Sequence, residues 1–160
     1  MIRQDFAVSL LLAAGVVASI AQEANPIHWK AAGTSYQTKP GALLQVPVVA
    51  AIDEGWHLYS LKKLEGGPIP TTISIAAGQP FRLDGKIDSP EPIPTDDPNF
   101  GMTVEYFLQS ARFVLPVRVA ADALPGKQVL KITARYQTCN EKICLPPKIA
   151  TMEVPVTVTK

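Results

Sequence analysis

The feature that most narrows the fold is alternation. Near the end of the chain, Ala150, Met152, Val154, Val156 and Val158 alternate with Thr151, Glu153, Pro155, Thr157 and Thr159. A period of two places one set on the core face of a strand and the other toward water. The same pattern runs through Leu44, Val46, Val48, Ala50 and Ile52, and through Leu130, Ile132, Ala134 and Tyr136. It recurs at Phe113, Leu115, Val117 and Val119, with Arg112, Pro116 and Arg118 on the opposite face. No stretch after residue 21 carries a convincing helical period.

Proline reinforces the reading. There are 15 in 160 residues, roughly twice the usual share of about 5%. Proline interrupts helices and suits loops and sheet edges, so Pro47 on the polar face of its strand predicts an edge or a bulge. Further strands are expected at Asn25 to Lys30 (a first edge strand), Trp56 to Leu61, Thr71 to Ala76 and Pro80 to Ile87. Thr103 to Leu108 and Ala111 to Val119 read as a pair around Gln109-Ser110. Turns are expected at Asp53-Glu54-Gly55, Glu65 to Pro70 and Leu124-Pro125-Gly126, and a loop at Ala31 to Gly41. Asp88 to Phe100 is rich in proline and acid with no apolar period, which predicts an ordered functional loop. Short strands separated by turns at about 8–12 residue spacing imply an all-β fold, an immunoglobulin-like antiparallel β-sandwich.

The first 21 residues read as an address. Arg3 precedes an apolar run from Phe6 to Val17, and Ser19-Ile20-Ala21 offers small residues where a signal peptidase cuts. The expectation is a cleavable signal peptide over residues 1–21 and one domain over 22–160, soluble after cleavage. The alternative is a retained anchor, against which the run is shorter than the roughly 20 residues a spanning helix needs. Fifteen Lys and Arg against 14 Asp and Glu leave a net charge of +1 with no basic patch, which argues against nucleic acid as a partner. An apolar content of 47% argues against disorder.

Export would put the two cysteines, Cys139 and Cys144, where disulfides persist. Three readings are open. A structural bond is the default for an exported pair, but closing so short a loop contributes only about 2 kcal/mol. A zinc or copper site would need His28, His57, Met102 or Met152 as further ligands, and neither a second cysteine pair nor a His-x-His cluster supports one. Thiol–disulfide exchange needs two close sulfurs, one of them accessible. Lys142 and Lys148 could favour a thiolate.

The residues around the cysteines resemble a known family. Tyr136-Gln137-Thr138-Cys139 followed by Cys144-Leu145-Pro146-Pro147 is similar to the N-terminal periplasmic domain of thiol:disulfide interchange proteins of the DsbD type. Gly55-Trp56-His57-Leu58-Tyr59, Asp97-Pro98-Asn99-Phe100-Gly101 and Ala111 to Val117 match in the same order. The likeness spans roughly residues 26–158. It implies an immunoglobulin-like sandwich that passes reducing equivalents between thioredoxin-fold proteins in the periplasm, with no cofactor. Cys144 would be the attacking and attacked sulfur and Cys139 the resolving one. A cap loop would shield the pair, with Phe100 as its aromatic and Gly101 as a flexible neighbour. Asp97, His57 and Tyr59 would line the site.

Some positions depart from the family pattern. Cys139 and Cys144 enclose four residues where the family has five. The family's acidic pair falls on Asp97 and Pro98, and one aromatic of its active-site strand is His57 here. The likeness includes neither a membrane carrier nor a thioredoxin-like domain, so a free-standing, monomeric module would draw electrons from another chain, such as a membrane electron carrier. The reading from a different class is an exported immunoglobulin-like binding or assembly module with a purely structural disulfide.

Overall fold

The computed structural model describes residues 25–160, so the expected signal peptide at 1–21 and the start of the expected mature chain lie outside it. In chain order the strands are β1 (Ile27–Ala31), β2 (Tyr36–Thr38), β3 (Leu43–Ile52), β4 (His57–Tyr59), β5 (Thr72–Ile75), β6 (Phe81–Leu83), β7 (Ile93–Asp97), β8 (Met102–Phe107), β9 (Ser110–Val119), β10 (Gly126–Tyr136), β11 (Thr138–Cys139) and β12 (Lys148–Val158). They form three four-stranded sheets, ordered β1-β3-β9-β6, β2-β12-β10-β5 and β11-β4-β8-β7. Among the described residues there is no helix, and thus none long and apolar enough to cross a membrane.

The first two sheets enclose the main core. Val46, Val48, Ala50 and Ile52 of β3 and Phe113, Leu115, Val117 and Val119 of β9 are buried from one side. From the other come Leu130, Ile132 and Ala134 of β10 and Met152, Val154, Val156 and Val158 of β12. These are the residues that the alternation assigns inward, because a period-two strand has one dry face whenever a second sheet covers it. At one end of this core Phe113 stacks on Trp29 with centroids 5.8 Å apart, and Phe107 meets it edge-on at 5.5 Å.

The third sheet grows out of the other two. β10 continues into β11 across Gln137, and β8 continues into β9 across Gln109. Gln109 has φ 61°, the left-handed region that a side chain seldom occupies. Its carbonyl accepts from the Ile52 amide at 2.8 Å, which holds the bend. For that reason β8 and β9 are not the pair that the sequence suggests: the chain changes sheets at Gln109, with β8 lying between β4 and β7 and β9 between β3 and β6.

Three further differences have local causes. Pro47 sits in β3, an inner strand, yet accepts from the Ala32 amide at 2.9 Å just past the last residue of β1. The donor that proline lacks falls where the neighbouring strand has ended. Pro116 in β9 repeats this against Asp84, just past β6, at 2.9 Å. Second, the expected loop at Ala31 to Gly41 contains β2, which pairs parallel to β12. Third, the expected loop at Asp88 to Phe100 contains β7, paired antiparallel to β8 from Ile93↔Tyr106 to Asp97↔Met102. β7 is an edge strand, and so its Pro94 is tolerated.

The chain's direction is fixed at both ends. The Tyr136 hydroxyl donates to Asn25 Oδ1 at 3.1 Å, close to the cysteine block. β12 starts at Lys148, opposite Tyr136, and runs away from that block. Past its far end the amide and hydroxyl of Thr159 both donate to the Thr38 carbonyl, at 2.7 and 3.0 Å.

Candidate redox site

The site is built where β10 runs out. The Gln137 side chain accepts from the Ile69 amide at 2.9 Å and pins the break between β10 and β11. β11 then pairs with β4, Thr138 opposite Leu58 and Cys139 opposite His57. The Thr138 hydroxyl donates to the His57 carbonyl at 2.7 Å. Cys139 is thereby held on a paired strand, with no exposed surface.

A tight turn brings the chain back. The Asn140 side-chain oxygen accepts from the amides of Lys142 and Ile143, both at 2.8 Å. The Asn140 amide donates to the Ile143 carbonyl at 2.9 Å, and the Leu145 amide to the Thr138 carbonyl at 3.0 Å. Cys144 therefore returns opposite Cys139, and the two are bonded, with an S–S distance of 1.99 Å and Cα atoms 4.0 Å apart. Pro146 and Pro147 cannot donate to a ladder, so pairing stops until β12.

The two sulfurs are not equivalent. Cys139 is sealed in a small apolar cluster with Tyr59 and Val104, against which Phe100, Met102, Leu64, Tyr106 and Cys144 pack. Cys144 is only partly buried and lies beside Ile143, which is half exposed. A disulfide is opened by a thiolate that can reach one sulfur in line with the other. Of the two residues, Cys144 is the one with exposed surface.

A hairpin tip lies over the pair. The amides of Phe100 and Gly101 donate to the Asp97 carbonyl at 3.3 and 2.8 Å, while Asp97 Oδ1 accepts from the Asn99 amide at 2.7 Å. Gly101 closes the turn at φ 63°, a conformation that glycine adopts without penalty. It is exposed. Phe100 reaches inward and meets Tyr59 edge-on, centroids 5.9 Å apart. The Asn99 side chain crosses to the cysteine turn and donates to the Asn140 carbonyl at 3.1 Å.

Below the tip lies a polar chain. The Tyr59 hydroxyl donates to Asp97 Oδ2 at 2.6 Å, and His57 Nε2 lies 3.2 Å from that hydroxyl. His57 stacks on Tyr106 at 4.5 Å. Burial, together with the neighbouring Asp97 carboxylate, holds the Tyr59 phenol far above its usual range. Burial also lowers the His57 pKa, outweighing the opposing pull of Asp97.

Of the residues expected at the site, Cys139, Cys144, Phe100, Asp97, His57 and Tyr59 converge. Three others take part without having been singled out. Asn140 shapes the cysteine turn, a role common for Asn at turn starts; Tyr106 carries the imidazole; Asn99 ties the tip to the turn, and no local signal marks it. Among the described residues no group of three or more His, Cys, Asp or Glu is placed to hold a metal ion.

The Asn99 tie makes a test possible. A neutral hydrogen bond at an exposed position contributes about 0.5–1 kcal/mol. Asn99→Ala is therefore expected to speed reduction of the bond by dithiothreitol about two- to fivefold, with the melting temperature lowered by no more than about 4 °C. Stopped-flow reduction at fixed reductant checks this, and an unaltered rate would remove Asn99 as the tie.

The chain is similar to proteins already described. A family model for the N-terminal region of thiol:disulfide interchange protein DsbD matches residues 25–155. Among solved structures, the Neisseria meningitidis DsbD N-terminal domain in its reduced form superposes with a TM-score of 0.52 at 17% identity, over 82% of this chain and 85% of that one. That likeness shows a shared fold. A family 123 glycoside hydrolase from Clostridium perfringens matches at a TM-score of 0.44 and 10% identity, over 84% of this chain and 27% of that one; so loose a likeness carries no argument. No curated protein sequence matches.

Proposed function

The chain belongs to the DsbD N-terminal domain family, and on that premise we propose that it is a periplasmic thiol–disulfide exchange module, passing reducing equivalents between thioredoxin-fold proteins. Residues 22–160 form the module, and residues 1–21 direct its export. The observation that carries the reading is the asymmetric bond: Cys139 fully buried, Cys144 only partly so, both beneath a hairpin tip.

The electron balance follows from that asymmetry. A thiolate of a reduced partner attacks Cys144 Sγ. The bond between Cys144 and Cys139 breaks, and its electron pair leaves on Cys139, which takes up a proton. The partner's second thiolate then attacks its own sulfur in the mixed disulfide. Cys144 departs as a thiolate and is protonated from solvent. The partner ends as a disulfide and the module as a dithiol; the reverse sequence reduces a second partner.

Phe100 and the tip around it keep the pair from chance thiols, and a docking partner displaces them. Tyr59 and Asp97 set the polar floor of the site. A purely structural role for the bond is weaker on energetic grounds. The loop closed between Cys139 and Cys144 is short enough that the bond contributes only about 2 kcal/mol, while the main core lies between two other sheets.

Trapping tests the proposal. In a Cys139→Ala variant the mixed disulfide at Cys144 has no internal thiol to resolve it. Incubated with an oxidised thioredoxin-fold protein, the variant is expected to accumulate a covalent adduct on non-reducing gels that dithiothreitol dissolves. If no thioredoxin-fold protein, periplasmic isomerases included, is captured, the exchange role is wrong.

A further inference from the structure

We propose that His57 is the general base and acid for the buried Cys139 thiol, carrying its proton between the sulfur and an open cleft during exchange. The proposal rests on the exchange reading above and assigns to that reaction a proton path of its own.

The need for a carrier comes from burial. Cys139 has no exposed surface. Its thiol must lose a proton when it attacks Cys144 in a mixed disulfide, and its thiolate must gain one when Cys144 is attacked. A bare thiolate among Tyr59, Val104 and Phe100 would be an uncompensated charge in an apolar setting, which is costly. Bulk water does not reach it.

Three features of His57 meet the need. It is the register partner of Cys139 in the β4–β11 ladder. Residues directly opposite in antiparallel strands share a face, with Cβ atoms about 4.5–5.5 Å apart. The imidazole also lines a cleft of about 350 Å³ between the hairpin tip and the cysteine turn, whose walls include Asp96, Asn99, Tyr106, Asn140 and Glu141. With 12% of its side chain exposed, it touches both the interior and the opening.

The third feature is the tautomer. The single hydroxyl hydrogen of Tyr59 is committed to Asp97 Oδ2 at 2.6 Å. The Tyr59 oxygen can then only accept from His57 Nε2, 3.2 Å away. The neutral ring therefore carries its hydrogen on Nε2 and keeps the Nδ1 lone pair to receive a proton. Tyr106 stacks on the ring and fixes its plane. The titratable and charged groups facing it are Tyr59 on its own strand, Asp96 and Asp97 on β7, Tyr106 on β8, Cys139 on β11 and Glu141 on the turn. Burial keeps the ring neutral to lower pH than an exposed histidine, despite Asp97.

In the resolving step, the Cys139 thiol gives its proton to His57 Nδ1 as its sulfur attacks Cys144 Sγ. The bond from Cys144 to the partner's sulfur breaks, and the partner leaves as a thiolate. The imidazolium then returns the proton to water in the cleft. The opposite direction uses the same path, with the imidazolium protonating the Cys139 thiolate.

The sign of the pH dependence follows. The resolving step needs neutral His57, so its rate rises with pH through the lowered pKa of His57 and levels off above it. The test reduces the full chain and mixes it with an oxidised thioredoxin-fold protein, which can displace the tip, between pH 5 and 9. Formation of the mixed disulfide at Cys144 and its resolution by Cys139 are followed separately by quenched-flow mass spectrometry. His57→Phe keeps the stack on Tyr106, and His57→Gln keeps a donor toward Tyr59. In both, resolution at pH 7 is expected to slow by at least about a hundredfold. The levelling is expected to give way to a steady rise with hydroxide, while first-step rates hold. If the mixed disulfide forms normally and both variants resolve it with the wild-type profile, the role of His57 is overturned and the exchange reading stands. If wild-type Cys144 forms no mixed disulfide at all, both fail.

Discussion

Replacing Cys144 with serine is expected to abolish exchange, leaving only the uncatalysed background between the two partners. The loss is total because of where the other sulfur sits. Cys139 remains, but it is sealed behind Tyr59, Val104 and Phe100. An incoming thiolate or disulfide cannot approach it in line, and the hydroxyl of serine is no nucleophile near neutral pH. The single variants therefore differ in kind. Cys139→Ala is expected to capture partners and fail to release them, and Cys144→Ser to capture nothing. Turnover between reduced and oxidised thioredoxin-fold proteins, together with adduct counts on non-reducing gels, checks the contrast. Equal capture by both variants would mean that Cys139 is reachable, and would undo the division of labour between the sulfurs.

The second large effect belongs to the core. Phe113→Ala is expected to destabilise the fold by about 3–5 kcal/mol, because a fully buried ring leaves a cavity that its neighbours cannot fill. Phe113 has no exposed surface and is flanked by Trp29 and Phe107 from different strands. Opening the disulfide costs far less, about 2 kcal/mol on the chain-entropy estimate. A protein that cycles between two redox states must stay folded in both, and here the main core does not depend on the bond. Urea unfolding of the oxidised, reduced and Phe113→Ala proteins ranks the three. If reduction alone unfolds the chain, the bond is structural and the exchange reading loses its footing.

How much of this could be read from residues alone varied with the range of the interaction. The inward faces of β3, β9, β10 and β12 were legible because alternation is a local pattern. The cysteine block was legible because its partners lie within a few residues. β7 was hidden, since Pro94 and a run of acids mask an edge strand whose pairing with β8 only the fold supplies. The break between β8 and β9 was hidden in the left-handed conformation of Gln109, a residue that carries no signal for it. At the site, resemblance supplied His57, Tyr59, Asp97 and Phe100. The Asn99 tie to Asn140 spans 41 positions of sequence, and the stack of Tyr106 on His57 joins different strands, so neither follows from spacing.

The directions in which the chain enters and leaves have a practical consequence. Asn25 is hydrogen-bonded to Tyr136 at the pole that holds the sulfurs. β12 then carries the chain to the opposite pole over 11 residues, a distance of about 35 Å for an extended strand. A tether attached ahead of Asn25 would keep the reactive pole against whatever surface bears it. A bead, electrode or fused protein joined after Lys160 would leave that pole pointing outward, free to meet partners from solution.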